Sequence, residues 1–274
     1  MVRKAARSPR KRDTELPHGL GFTSPKPTMS KSPLPMQTPP SIAAPRSGTL
    51  PCMAYVVAYH GIALSALVSL HRHVHGVINP VHFFLALFCI TNAWICICEI
   101  ALFVHQKEIK RQHACYTATY GVGVLPDIFL FQPVTVVELF SLKYWAFMWS
   151  QYAALDRSYV DTESFGYCVD VSNGWTTFLP TVTFAIGMSA PILPPRWLGM
   201  LGLVEFYKML YGTAVYFFQY FHNRRFEHTP RAYVWGIIVP ANGYWVALPM
   251  LGMWACSRLI LDGNEGVFTT GLAW

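Results

Sequence analysis

The sequence predicts an all-α fold: a polytopic transmembrane helix bundle of about five spans behind a disordered N-terminal tail. Three observations predict it. Hydrophobic residues make up 53% of the 274 and charged residues only 13%, against about 25% charged in soluble domains. Five windows are long and apolar enough to cross a hydrocarbon core about 30 Å thick, which takes roughly 20 helical residues. The excess positive charge sits at one end. Residues 1–50 carry nine Lys/Arg against Asp13 and Glu15, which accounts for the whole net charge of +7.

Residues 1–50 are also rich in proline and serine, with Pro25-Lys26-Pro27, Pro33-Leu34-Pro35 and Pro39-Pro40. Such a stretch cannot bury enough apolar surface to offset its ordering entropy. A solvated tail is expected, with contact to anionic headgroups or a cleaved transit peptide as alternatives. The transmembrane domain follows over residues 51–262, and residues 263–274 form a short C-terminal tail.

The first window, 51–70, has no charge, and the second, 81–104, has only Glu99. Windows 175–193 and 232–256 have none, while 197–221 contains Glu205 and Lys208. A sixth stretch, 116–142, is interrupted by Pro126-Asp127, Pro133 and Glu138, and reads as a re-entrant or interfacial segment. Helix breakers punctuate the windows at Asn79-Pro80, at Pro191 and Pro194-Pro195, and at Asn223 to Pro230. Pro180, Pro240 and Pro249 fall inside spans, where neighbouring helices can satisfy the freed backbone groups. Counting Lys/Arg in the loops puts the N-terminus in the cytosol and the C-terminus across the membrane.

Ionisable side chains inside a bilayer cost several kcal/mol unless they pair or face a cavity. Glu99 shares a helix face with Asn92, seven positions earlier. Asp170 stands just before the third span, and Asn242 lies mid-way along the fifth, three residues before Trp245. Each also has a structural reading: a carboxylate bonded to a neighbouring helix, an acid at a helix N-terminus, an amide joining two helices. Glu205 and Lys208, spaced i, i+3, read as a structural pair. His71, His73 and His75 read as an exposed loop rather than a metal site. Cys89, Cys96 and Cys98 lie in one apolar run and read as small buried hydrophobes. No cysteine pair has zinc-site spacing, and there is no phosphate loop, nucleophile elbow or HExxH motif. The chain calls for no cofactor, no metal and no nucleic acid.

Three segments together resemble the emopamil-binding protein family, the sterol Δ8–Δ7 isomerases, and the wider EXPERA domain shared with the sigma-2 receptor. They are Trp149-Ser-Gln-Tyr152-Ala-Ala-Leu-Asp156-Arg-Ser-Tyr159 leading to Asp170, Leu210 to Phe217, and Asn242-Gly-Tyr-Trp245-Val-Ala-Leu-Pro249. With the Glu99 window they cover roughly residues 51–262. The resemblance implies an integral protein of the endoplasmic reticulum. Its ligand would be a sterol or a cationic amphiphile, it would sit in the lipid bilayer, and a homodimer is left open. Glu99 and Asp170 would be the acid/base pair for moving a ring double bond. Trp245 would stabilise the intervening carbocation through its quadrupole, and Asn242, Asn173 and Trp94 would line the ligand site. Tyr152, Asp156 and Tyr159 match structural positions. The family's alternative branch binds such ligands without catalysis. Three positions depart from the isomerases: Ile95 stands where they have His one turn before the glutamate, Asp170 replaces Glu, and Asn173 replaces Thr. The family topology also puts the C-terminus in the cytosol, opposite to the charge count.

Overall fold

The computed structural model describes residues 48–125 and 128–270, so all but the last three residues of the expected tail lie outside it. The described chain is mostly helical. Its helices are α1 (Cys52–His75), α2 (Pro80–Val104), α3 (Gln106–Tyr120), α4 (Leu142–Tyr152), α5 (Phe165–Gly187), α6 (Pro195–His222), α7 (Arg231–Asp262) and α8 (Gly266–Thr269).

Local chemistry sets the boundaries. Gly76, at φ 74°, ends α1 in the left-handed conformation, which a glycine adopts without a Cβ penalty. Asn79 caps α2 by accepting from the His82 N–H, and Pro80 occupies the first turn, where its missing N–H costs nothing. Ser164 caps α5 by accepting from the Tyr167 N–H, and Pro195 opens α6.

Among the described residues, α1, α2 and α7 are long and apolar enough to cross a membrane. They differ in what they cover. About half of the apolar stretch of α2 is buried inside the protein, whereas that of α1 is not buried at all. Val57 and Ile62 of α1 are 61% and 73% exposed. A helix apolar in composition yet unburied by its own chain presents hydrocarbon outward, as a lipid-facing helix does.

The helices meet through small residues, the usual solution where close backbone approach replaces hydrophobic exclusion. A Cβ added at Gly202 of α6 would lie 2.5 Å from Cys256 Sγ of α7, and one at Gly252 of α7 would lie 2.5 Å from the Phe206 ring of α6. Around this crossing Phe88, Phe184, Phe206, Met209 and Leu259 form one apolar core. A second core joins Cys98, Ala101 and Leu102 of α2 to Trp145 and Trp149 of α4 and to Tyr159.

Several expectations need correction. The fold is not purely helical: Leu50–Pro51 (β1) pairs antiparallel with Pro133–Val134 (β2), tying the start of α1 to the loop before α4. The stretch 116–142, read as re-entrant or interfacial, holds in its described part the end of α3, two 3-10 turns and β2 and no helix able to span; Pro133 cannot donate to a helical ladder. Asp170 lies in the second turn of α5, not ahead of it, since the Ser164 cap starts that helix ten residues before window 175–193. The histidine stretch is no exposed loop. It is the last turn of α1, and His71 is buried, stacked on His82 at 3.9 Å. Its Nδ1 and Nε2 lie 3.2 Å from the Met188 carbonyl oxygen and 3.1 Å from that of Phe268. Residues 263–270 pack rather than trail, with Phe268 of α8 buried and Asn79 donating to the Val267 and Thr270 carbonyls.

The glycine crossings yield a stability test. Gly202→Ala overpacks the α6–α7 contact and should cost about 1–3 kcal/mol, read as a lower midpoint of thermal unfolding in detergent. Gly61→Ala, whose Cβ would meet nothing within 4 Å, should leave the midpoint unchanged or raise it.

Candidate functional site

Five helices and one turn surround a cavity of about 260 Å3. From α2 come Ile95 and Glu99. From α5 come Asp170 and Asn173. From α6 come Lys208, Met209, Thr213 and Tyr216. From α7 come Asn242 and Trp245. Met148, Trp149 and Tyr152 of α4 and Tyr159 of the following turn close one side.

Helical spacing explains the convergence. In α5, residues 170, 173, 177 and 181 recur at three and four positions, so their polar side chains share one face. That face lies on α2. Asn173 Nδ2 donates to Glu99 Oε2 at 2.6 Å, and Asn92 Nδ2 donates to Thr181 Oγ1 at 2.9 Å. Between these two bonds, Gly174 lets the backbones touch: a Cβ there would lie 2.8 Å from the Glu99 Cβ and 3.0 Å from the Cys96 carbonyl oxygen.

On α7 the aiming device is a π-turn at Val234–Ile238, just ahead of Pro240. Pro240 has no N–H for the helical ladder, and a π-turn absorbs the irregularity. Asn242 Nδ2 donates to the Ile238 carbonyl at 2.8 Å and lies 3.4 Å from the Tyr152 hydroxyl. One turn on, the Trp245 indole N–H donates to Asn92 Oδ1 at 3.2 Å. Asn92 therefore fixes both α5 and the Trp245 ring.

Of the residues named from sequence, Glu99, Asp170, Asn173, Asn242 and Trp245 line this one cavity. Trp94 does not. It stands between His60 and Trp145, ring centroids 5.9 Å from each, and its buried indole N–H has no acceptor among the described residues. It projects from the opposite side of α2 from Glu99, since five residues turn a helix by about 140°. Glu205 and Lys208 pair at 2.9 Å as their spacing implies, yet Lys208 also lines the cavity.

Sequence reading missed the tyrosines as cavity groups. Tyr152, Tyr159 and Tyr216 all line it. Burial, reinforced by the Asp170 charge, pushes the Tyr159 hydroxyl well above its ordinary range. Tyr152 and Tyr159 flank Asp156 in the sequence, whereas Tyr216 stands on α6, in the segment Leu210 to Phe217.

Asp156 itself is structural. Its buried carboxylate accepts from the Ser158 N–H at 2.9 Å and hydroxyl at 2.8 Å, from the Tyr216 hydroxyl at 2.7 Å and from Arg225 Nη1 at 3.1 Å. One side chain thus ties the turn after α4 to α6 and to the loop beyond it. A carboxylate with this many donors is fully compensated for its burial.

The chain matches no family model, no curated protein and no solved structure.

The Asp156 network yields a second test. Asp156→Ala removes the nearer carboxylate of the partly buried Arg225 guanidinium, leaving Asp161 at 4.0 Å, and should cost about 3 kcal/mol. Tyr216→Phe removes a single bond and should cost about 1–2 kcal/mol. Thermal unfolding of both variants in detergent checks the order; equal effects would show that Arg225 is not held by Asp156.

Proposed function

We propose that this chain is a membrane protein of the emopamil-binding, EXPERA type whose intramembrane cavity holds a sterol-like ligand and accepts cationic amphiphiles. In this reading five helices cross the bilayer: α1, α2, α5, α6 and α7. With 23 and 28 residues, α5 and α6 are long enough at 1.5 Å per residue. Asp170 and Asn173 of α5 and Lys208 of α6 line the cavity. The proposed location is the endoplasmic reticulum membrane.

The observation that carries the reading is convergence. Glu99, Asp170, Asn173, Asn242 and Trp245 come from three helices and up to 146 positions apart, yet they line one cavity. These are the positions that the resemblance assigns to ligand binding, Trp94 excepted. The cavity's chemistry suits an apolar polycyclic body with one polar end. Aromatic and aliphatic walls take the body, and a few placed polar groups fix its orientation. A carboxylate offers a charge-assisted contact to an amine, and the Trp245 face adds cation–π attraction.

A second reading, ring double-bond isomerisation, is favoured by one further observation: both carboxyls face the same cavity. One could protonate an alkene carbon while the other removes a proton from a neighbouring ring carbon, leaving their protonation states exchanged. Ile95 also lines the cavity, and its alkyl side chain can neither give nor take a proton where the isomerases have His. Binding is therefore the primary proposal.

Membranes containing the protein can be titrated with a labelled amphiphilic amine and with a neutral sterol. Glu99→Gln and Asp170→Asn should each weaken amine binding at least about tenfold, roughly 1.4 kcal/mol, and affect the sterol less. Amine affinity equal to that of the parent in both variants would remove these carboxyls from the site. Sterol profiling of isomerase-deficient cells expressing the chain tests the second reading. A restored product would establish catalysis, and Ile95→His is expected to raise any activity found.

A further inference from the structure

Lys208 occupies the middle of the 28-residue α6, where an ammonium is costly in a hydrocarbon environment. Its pairing with Glu205 at 2.9 Å offsets that cost but does not explain the residue. Replacing such an ion pair by apolar side chains of similar volume is often neutral or stabilising. What distinguishes Lys208 is its placement. Glu205 does not line the cavity, whereas Lys208 does, beside Met209 and Gly212. Its Nζ donates to Thr176 Oγ1 of α5 at 3.1 Å.

An ammonium has three N–H donors and no acceptor. One of them goes to Thr176, and Glu205 Oε2 lies 2.9 Å from the nitrogen as its counter-charge. The nearby acid is not equally free: Glu99, which lines the same cavity as Lys208, already accepts from Asn173 through Oε2 at 2.6 Å. A cationic guest reaching Glu99 must therefore sit within the field of a fixed like charge. Like charges in a low-dielectric cavity repel far more strongly than in water. A guest whose polar end is a hydroxyl, keto or carboxylate oxygen meets the opposite situation, because an ammonium N–H can donate to it.

Resting on the cavity reading above, we infer that Lys208 is a specificity-determining residue. It selects polycyclic ligands with an oxygen acceptor at the polar end, carboxylates most strongly, and disfavours lipophilic amines. Acidic and basic groups then act in opposite directions on one guest. Glu99 and Asp170 provide what amine affinity there is, and Lys208 limits it. The cavity is tuned for oxygenated steroid-like molecules, and amines are tolerated probes.

The test uses the full chain in lipid nanodiscs with three probes: a neutral 3-hydroxysterol, a steroid carboxylate and a lipophilic tertiary amine. Lys208→Met should weaken the carboxylate at least about tenfold and strengthen the amine at least about threefold, with the neutral sterol changed by less than about threefold. Lys208→Arg keeps the charge and should keep the parent's order of preference. Because Lys208→Met leaves Glu205 unpaired, Glu205→Gln/Lys208→Met serves as a second variant that removes both charges, and the same reversal is expected. If either folded variant binds the neutral sterol and keeps the parent's carboxylate-to-amine ratio, the role of Lys208 is overturned while the cavity reading stands. If the parent shows no saturable binding of any probe, both fall.

Discussion

A Cβ at residue 174 would overlap Glu99 and the backbone of α2, so α5 and α2 approach as they do because Gly174 has none. The rest of the cavity depends on this contact. At that separation the short Asn173 side chain reaches Glu99, and Asn92 reaches Thr181. Asn92 in turn holds the Trp245 indole, which fixes how α7 faces the same space. A wider crossing would leave Glu99, which is buried, without its amide donor. An unpaired buried carboxylate is among the most costly groups a helix bundle can contain. The polar geometry of the site thus follows from the absence of one methyl group.

Two kinds of polar cluster have opposite logic in this molecule. Asp156 is closed: its oxygens are used by Ser158, Tyr216 and Arg225, and nothing is left for a guest. The cavity groups are open. Asp170, Lys208 and Trp245 all border the cavity. Closed clusters fix helices in place, while open ones can exchange a protein contact for a ligand contact. The two lie side by side because Tyr216 belongs to both, bonding Asp156 while lining the cavity wall.

The helical class and the positions of the long helices were legible in the sequence, since uncharged runs bounded by Asn79-Pro80 and Pro194-Pro195 have few other solutions in a chain this apolar. So was the set of cavity carboxyls and amides, because polar groups inside apolar runs are costly enough to require a purpose. What was not legible was direction. Trp94 and Ile95 are adjacent in sequence, yet only Ile95 faces the cavity, and composition does not reveal which way a uniformly apolar helix is rotated. Lys208 was read as one half of a pair because i, i+3 spacing reports its neighbour on α6 and says nothing of Thr176 on α5. The start of α5 was misplaced because a hydropathy window registers apolar residues, and the Ser164 cap initiates helix through a polar stretch that such a window excludes. His71 was misread for a related reason: two of its neighbours, His73 and Arg72, are exposed, and alternation of polar residues resembles a loop until tertiary contacts bury one of them.

Those contacts of His71 have a consequence for the order of assembly. Its Nε2 approaches the Phe268 carbonyl across 197 positions of chain, and its Nδ1 approaches Met188 across 117. Helix α1 is therefore synthesised long before either partner. Until α8 arrives, the end of α1 and the stacked ring of His82 have only part of their final surroundings. Segments made late that complete a contact begun early leave a partly closed intermediate exposed during synthesis. For this bundle that exposure lies at the end of α1, where quality-control factors of the membrane would encounter an unfinished chain.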